Sequence, residues 1–425
     1  MIIISDHQKK FKITTIINAI LVFMYLYDIL ILNVPSIFSS RKIIFSLIIM
    51  FFLLFFKHYR PLGFMIEYRR QFQIIGFVII YIICYLVVLM VVYEKVEYSN
   101  YVISRVAYFG IYAIIGSYLF GKYFTSIFAF FKGIIIADLI QSTIVYCQFI
   151  FVGFRNFLNN MFTMTGNISY LRQDRANGIG AEGANLSLLL FCGLFACSYL
   201  ILKKQKTSLC LIITYFYILI ASMLVGRTGF YFGLVNIFIL VILTLGKKTN
   251  FEFLKNIIKI VIGIVIILIT FNFVTTKYID SARMENIFIW ATSLSNNGLS
   301  DRSFIQLSNM EIPKLTIETL FGTGIYRGIS DLGTIMQHDS GYVQSYFSMG
   351  LINALFFYYM FYRFLILLIS KINDKVTRRY FYWFFITIVI VEVKEPFILK
   401  YMLPFVLITS CILVRKTEKF ICENN

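Results

Sequence analysis

Long apolar runs separated by short polar stretches dominate this chain. They fall near residues 11–32, 41–57, 72–93, 101–120, 127–152, 184–202, 208–225, 228–246, 256–274, 342–369, 380–392 and 398–414. Most approach the roughly 20 residues that a helix needs to cross the hydrocarbon core of a bilayer. The stretch from Phe72 to Tyr93 lacks the apolar–polar alternation of a barrel strand. The pattern predicts an all-α polytopic integral membrane protein with about 12 transmembrane helices. The eleventh run is short and ends in Glu392, Lys394, Glu395 and Pro396. It predicts a broken or re-entrant helix rather than a clean span.

Composition supports the same picture. Hydrophobic residues make up 59% of the chain and charged residues 14%, against roughly 25% charged in soluble domains. The 425 residues read as one membrane domain, 1–425, with two larger loops at 153–183 and 275–341. Any reactive site must therefore be built from loops and helix ends. No small-residue cleavage site follows Leu32, so the first run reads as a retained span. The seven cysteines lie mostly in apolar runs without paired C-x-x-C spacing, which predicts neither a metal site nor a disulfide framework.

The net charge of +18 would suggest nucleic acid in a soluble protein. Here it follows the positive-inside bias of membrane proteins. With the N-terminus and its Lys9, Lys10 and Lys12 inside, every inner loop is basic: Lys57, Arg60, Arg69 and Arg70, then Lys122, then Lys203, Lys204 and Lys206. Further along come Lys247, Lys248 and Lys255, then Lys371, Lys375, Arg378 and Arg379, and a tail with Arg415, Lys416 and Lys419. The short outer loops 33–40 and 94–100 hold Lys95 as their one cation. This topology puts both termini in the cytoplasm and both large loops outside. The cations predicted outside are mainly arginines: Arg155, Arg172, Arg175, Arg227, Arg283, Arg302 and Arg327. Lysine suffices for topology, whereas the planar fork of arginine matches phosphate oxygens with two hydrogen bonds. The cluster points to a phosphorylated ligand; ordinary loop charge is the plainer alternative.

Three outer segments carry candidate chemistry. Residues 172–183, with Arg172, Arg175, Gly178, Gly180 and Glu182, lead straight into a span. Free backbone N–H groups at that helix start would add to anion binding, although Glu182 could simply offset the helix dipole. Residues 225–229, Val-Gly-Arg-Thr-Gly, make a tight turn that sets Arg227 at the mouth of the bundle, either as a ligand or snorkelling at the interface. The third segment starts at Asp301-Arg302, continues through Leu320-Phe-Gly322-Thr-Gly324 and reaches His338-Asp339-Ser340-Gly341. His338 is the one histidine this topology places outside, and a histidine beside an acid can serve as a general base.

Together these pieces resemble the O-antigen polymerase (Wzy) family, which is related to the O-antigen ligases. Arg175 to Asn185 matches its R-x-x-G-x-x-x-E motif, Gly226 to Gly229 its S-R-T-G turn, and Arg302 to Leu351 its R … F-G-x-G … H … G-L region. Lys394 and Glu395 echo the charged residues near its last span. Gly183 stands where the family often has proline, and Asp339 where it often has asparagine or serine. The second departure weakens a ligase reading in particular.

The resemblance implies a GT-C-like glycosyltransferase that transfers a growing glycan from a polyprenyl-pyrophosphate carrier onto the next lipid-linked repeat unit. It implies a place in the bacterial cytoplasmic membrane, and an O-antigen, capsular or other surface polysaccharide as product. In that scheme His338 or Glu182 takes the acceptor proton, and Arg172, Arg175, Arg227 and Arg302 hold the pyrophosphate. Asp339, Arg327 and Glu395 support them. No cofactor, metal or nucleic acid is expected; the expected partners are lipid-linked oligosaccharides, membrane lipid and a chain-length regulator. The rivals are an O-antigen ligase and a lipid-linked oligosaccharide flippase. Asp138 and Arg105 are intramembrane charges that a transporter would use, but the chain shows no internal repeat.

Overall fold

In a computed structural model of the chain, the described residues are 2–54, 63–93, 96–162, 176–180, 183–203, 209–245, 305, 308–326, 328–329 and 335–424. The expected ninth span, 256–274, lies outside them, as do Arg172, Arg175, Glu182, Arg283, Arg302 and Arg327 and much of 275–341.

The first helices in chain order are α1 (Ile2–Tyr27), α2 (Ser40–Leu54), α3 (Gly63–Val92), α4 (Val96–Tyr108) and, after a π-helical segment at Phe109–Ile115, α5 (Gly116–Tyr123). Next come α6 (Ile127–Ile150), α7 (Val152–Met161), α8 (Gly183–Lys203), α9 (Leu209–Val225) and α10 (Arg227–Leu245). The last part holds α11 (Ile317–Phe321), the two-residue strands β1 (Gly328–Ile329) and β2 (Ile335–Met336), α12 (Gly341–Met349), α13 (Leu351–Ser370), α14 (Lys375–Lys394) and α15 (Met402–Asn424). The strands pair antiparallel, Gly328 with Met336 and Ile329 with Ile335.

Among the described residues, six helices are long and apolar enough to cross a membrane: Tyr68–Val92, Asn100–Tyr123, Ile127–Ile150, Gly183–Lys203, Arg227–Thr244 and Leu351–Ser370. Their outer faces carry exposed large apolar side chains, such as Phe77 at 73% and Phe238 at 65%. Water would penalise such faces heavily and lipid would not. The protein is a membrane-embedded helical protein.

Two differences from the sequence reading have physical reasons. The run 342–369 is two helices, because Gly350 turns the chain at φ +84° between α12 and α13. The run 380–392 is part of a longer continuous helix. Asp374 caps its start by accepting from Thr377 N–H at 3.1 Å, and Pro396 stops it after Lys394. The polar residues that suggested a break fall in its last turn and the reversal into α15.

The chain divides into two compact units, Met1–Phe51 with Ser126–Asn296 and Phe52–Thr125 with Asn297–Asn425. In the first, α8 is the central helix, buried around its circumference from Leu186 to Ile201, with α6, α9 and α10 packed on it. Asn236 of α10 donates to Ser198 of α8 at 2.9 Å and to Tyr215 of α9 at 3.3 Å, a polar tie across three apolar helices. At the end of α1, the buried Arg41 donates to the carbonyls of Tyr25 and Leu26 at 2.8 and 2.9 Å and pairs with Asp28 at 2.7 Å. It thereby satisfies carbonyls that a helix C-terminus leaves orphaned. In the second unit α3 and α15 pack on the run from α4 to α5, while α13 and α14 pack on each other and on α15.

Candidate functional site

In the first unit the described residues of the first two candidate segments are packed together. Residues Ala176 to Gly180 are buried, which requires partners for their backbone. Two glutamines of α6 supply them. Gln148 accepts from the N–H groups of Asn177 and Gly178 at 3.1 and 2.7 Å and donates to the Gly178 carbonyl at 2.9 Å. Gln141 donates to the Ile179 carbonyl at 3.1 Å. Gly180, at φ +86°, lies so close to the Tyr27 carbonyl that no side chain fits there.

The chain then enters α8 at Gly183, and the α9–α10 turn rests on that start. A Cβ at Gly226 would come within 2.8 Å of the Gly183 carbonyl and of Ser187 Oγ. Gly229 N–H donates to Ser187 Oγ at 3.1 Å. The glycines on either side of Arg227 are thus needed for close approach to α8. Arg227 itself is half-buried and is the first residue of α10. The helix dipole alone disfavours a cation at this positive end by about 0.3–1 kcal/mol. This placement concentrates positive potential for an anion. Glu182, next in sequence to Gly183, lies outside the described residues.

In the second unit the described residues of the third segment close as a loop onto the end of α12. Thr323 and Gly324 donate backbone N–H groups to the carbonyls of Phe347 and Ser348, each at 3.0 Å. Thr323 Oγ1 adds a bond to the Phe347 carbonyl at 2.9 Å. Gly322 (φ +100°, ψ 148°) and Gly350 (φ +84°, ψ 155°) cross backbone to backbone. A Cβ on Gly322 would lie 2.6 Å from Gly350 N, and one on Gly350 2.6 Å from Gly322 N. The F-G-x-G and G-L pieces of the motif are the two sides of this crossing. Ile325, Met336 and Phe347 make a small core under it.

His338 emerges from β2 inside this loop and is 6% exposed. Its Nδ1 accepts from Ser340 N–H at 3.0 Å, so the neutral ring carries its proton on Nε2. Burial lowers its pKa below the ordinary histidine value, with Asp339 opposing. In this geometry His338 is a hydrogen-bond donor through Nε2. The general-base role expected of it would require the Ser340 bond to break. Asp339 is half-buried beside it, with its N–H on Met310 Sδ at 3.4 Å. Gln344 Nε2 fixes the segment by donating to the carbonyls of His338 and Asp339 at 3.1 and 2.9 Å.

Behind the loop stands an acid that sequence reasoning passed over. Glu392 is fully buried; it accepts from Tyr358 OH at 2.8 Å and from Ile398 N–H at 2.7 Å. Gly341 packs directly on its carboxylate and on Pro396. Glu395, the expected supporting acid, pairs with Lys400 at the reversal into α15. Arg105 lies with its guanidinium 4.2 Å from the Tyr326 ring centre and 4.5 Å from that of Tyr101, and donates to Tyr326 OH at 2.7 Å. It ties α4 to the loop just before Arg327. Asp138 is fully buried in the first unit, accepting from Tyr27 OH at 2.6 Å.

Thus Arg227 and the segment leading to Glu182 belong to one unit, and His338, Asp339 and Glu395 to the other. Gln141 and Gln148 were missed although they left a signal: two amides seven positions apart lie on one helix face of an apolar run. Comparison with known proteins returned no match, whether among family models, curated proteins or solved structures.

Proposed function

We propose that this protein is a polysaccharide polymerase of the O-antigen polymerase kind, with about 12 spans and a GT-C-like architecture. It extends a glycan at the outer face of the bacterial cytoplasmic membrane. The observation that carries the reading is the seating of the Gly226–Gly229 turn on the start of α8. Two segments that resemble separate family motifs are thereby structural neighbours, and Arg227 stands at a helix N-terminus beside the residue that follows Glu182.

In the proposed reaction a sugar hydroxyl of the lipid-linked repeat unit attacks the anomeric carbon of the growing chain. A carbon–oxygen bond forms there as the bond to the pyrophosphate oxygen breaks, and the electron pair leaves on the pyrophosphate. Arg172, Arg175, Arg227 and Arg302 offset that developing charge, with His338 donating from Nε2. The hydroxyl proton passes to Glu182. In this reading Asp339, Arg327 and Glu395 have supporting roles. A chain-length regulator is the expected protein partner. The ligase alternative shares this donor chemistry. The transporter alternative rests on the buried Asp138, an intramembrane acid of the kind that pumps use.

Arg227 gives a direct test. Arg227→Lys keeps the charge and loses the fork, so polymer yield should fall; Arg227→Ala should cost about 10²–10³ in rate, as does loss of other charge-stabilising donors. A normal polymer ladder from the alanine variant would reduce Arg227 to a topology signal. The orientation has its own test. Single cysteines at Ser295 and Gln205 should label oppositely with an impermeant thiol reagent, Ser295 from outside. Labelling of Gln205 alone from outside would invert the topology.

A further inference from the structure

The second unit holds a groove that the proposed chemistry does not use. It lies between α3 and the run of α4, the π-helical segment and α5, with a volume of about 710 Å³. That is within the ~300–1,000 Å³ usual for ligand sites. Phe72 meets Tyr118 at one end, with ring centres 6.0 Å apart, and Ile79 meets Gly110 further along, so the two walls run antiparallel. Small residues and the π-helical segment shape it. A Cβ on Gly110 would sit 3.1 Å from Ile79 Cγ2, whereas one on Gly76 would meet nothing within 4 Å. π-helical turns are rare and frequently mark functional sites.

The lining is apolar apart from Arg69, Gln73 and the Tyr118 hydroxyl, all at one end, with Arg69 and Gln73 exposed. From Arg69 to Ile83 the helix rises about 21 Å at about 1.5 Å per residue. One leaflet of hydrocarbon is about 15 Å, half of the ~30 Å core. The groove therefore spans a leaflet's depth, with positive charge at one end only. More cations gather at that end: Arg70 follows Arg69, Lys122 lies 4.7 Å from the Tyr118 ring centre, and Lys371 lies 4.6 Å from that of Tyr68. Snorkelling basic residues need no groove; here a groove begins where they cluster. We propose that it binds an anionic phospholipid, with one acyl chain between α3 and the π-helical segment and the phosphate at Arg69. Basic pockets between membrane helices recognise such headgroups.

The test uses the full-length protein exchanged into an equal mixture of phosphatidylglycerol and phosphatidylethanolamine, with retained lipid counted by native mass spectrometry. The wild-type protein should retain phosphatidylglycerol in preference. A Cβ at Gly76 meets nothing within 4 Å, and Gly76→Leu extends a side chain from there into the groove, so it should lose that lipid while its melting temperature holds. Arg69→Gln alters an exposed side chain and leaves the groove open; its headgroup preference should fall about fivefold, the usual effect of one basic residue near the bilayer surface. Equal retention of both lipids by the wild-type protein would overturn the proposal. So would unchanged retention in Gly76→Leu, or preferential retention of an added polyprenyl phosphate.

Discussion

Replacing Gly350 with alanine is expected to destabilise the second unit and to stop chain growth although no proposed reactive residue is substituted. The residue holds φ +84° and ψ 155°, a region that is essentially glycine-only and costs about 1–3 kcal/mol for other residues. The added Cβ would also lie 2.6 Å from Gly322 N and from Phe321 O. These are backbone atoms with no rotamer to yield, so the crossing that closes the His338 loop must open. Gly322→Ala attacks the same crossing from its other side. The two substitutions together should therefore cost less than the sum of each alone. Thermal unfolding followed by intrinsic fluorescence, beside a gel of the polysaccharide, would check both effects. A wild-type melting temperature in Gly350→Ala would mean that the crossing does not hold the loop.

The second large effect is expected at His338. His338→Ala should leave folding, membrane insertion and the supply of lipid-linked repeat units to the outer leaflet intact. Chain growth alone should fail, so that single repeat units accumulate in place of polymer. Loss of a positioned proton-transfer group costs roughly 10²–10⁴ in rate. The Ser340 N–H on Nδ1 makes a finer distinction possible. A donor role through Nε2 can be met in part by an amide, so His338→Gln should keep more activity than His338→Ala. Equal loss in both would restore the base role first expected of this ring. A full polymer ladder from the alanine variant would remove His338 from the chemistry.

The helical class and most helix positions were legible because burial in lipid demands long apolar runs, and these survive any tertiary context. Among the described residues, six of those runs have helices long and apolar enough to span a membrane. The break at Gly350 was harder to see: in the sequence it is a single glycine in an apolar run, and its backbone turn becomes necessary only against Gly322, far away along the chain. The same holds for Glu392. It looked like one more charge in a polar cluster, and Glu395 drew the functional reading. Tertiary packing buries the first against Tyr358 and Ile398 N–H and leaves the second paired with Lys400 near the surface. The buried run 176–180 was legible as glycine-rich but not as buried, since its partners are two glutamines on another helix.

Polymerisation itself gives the most direct test. The purified protein would be placed in proteoliposomes with polyprenyl-pyrophosphate-linked repeat units, without nucleotide sugars and without any other enzyme. Lipid-linked chains of increasing length are expected, with one polyprenyl pyrophosphate released for each unit added. Movement of unmodified repeat units across the bilayer, with no longer chain and no free polyprenyl pyrophosphate, would contradict it.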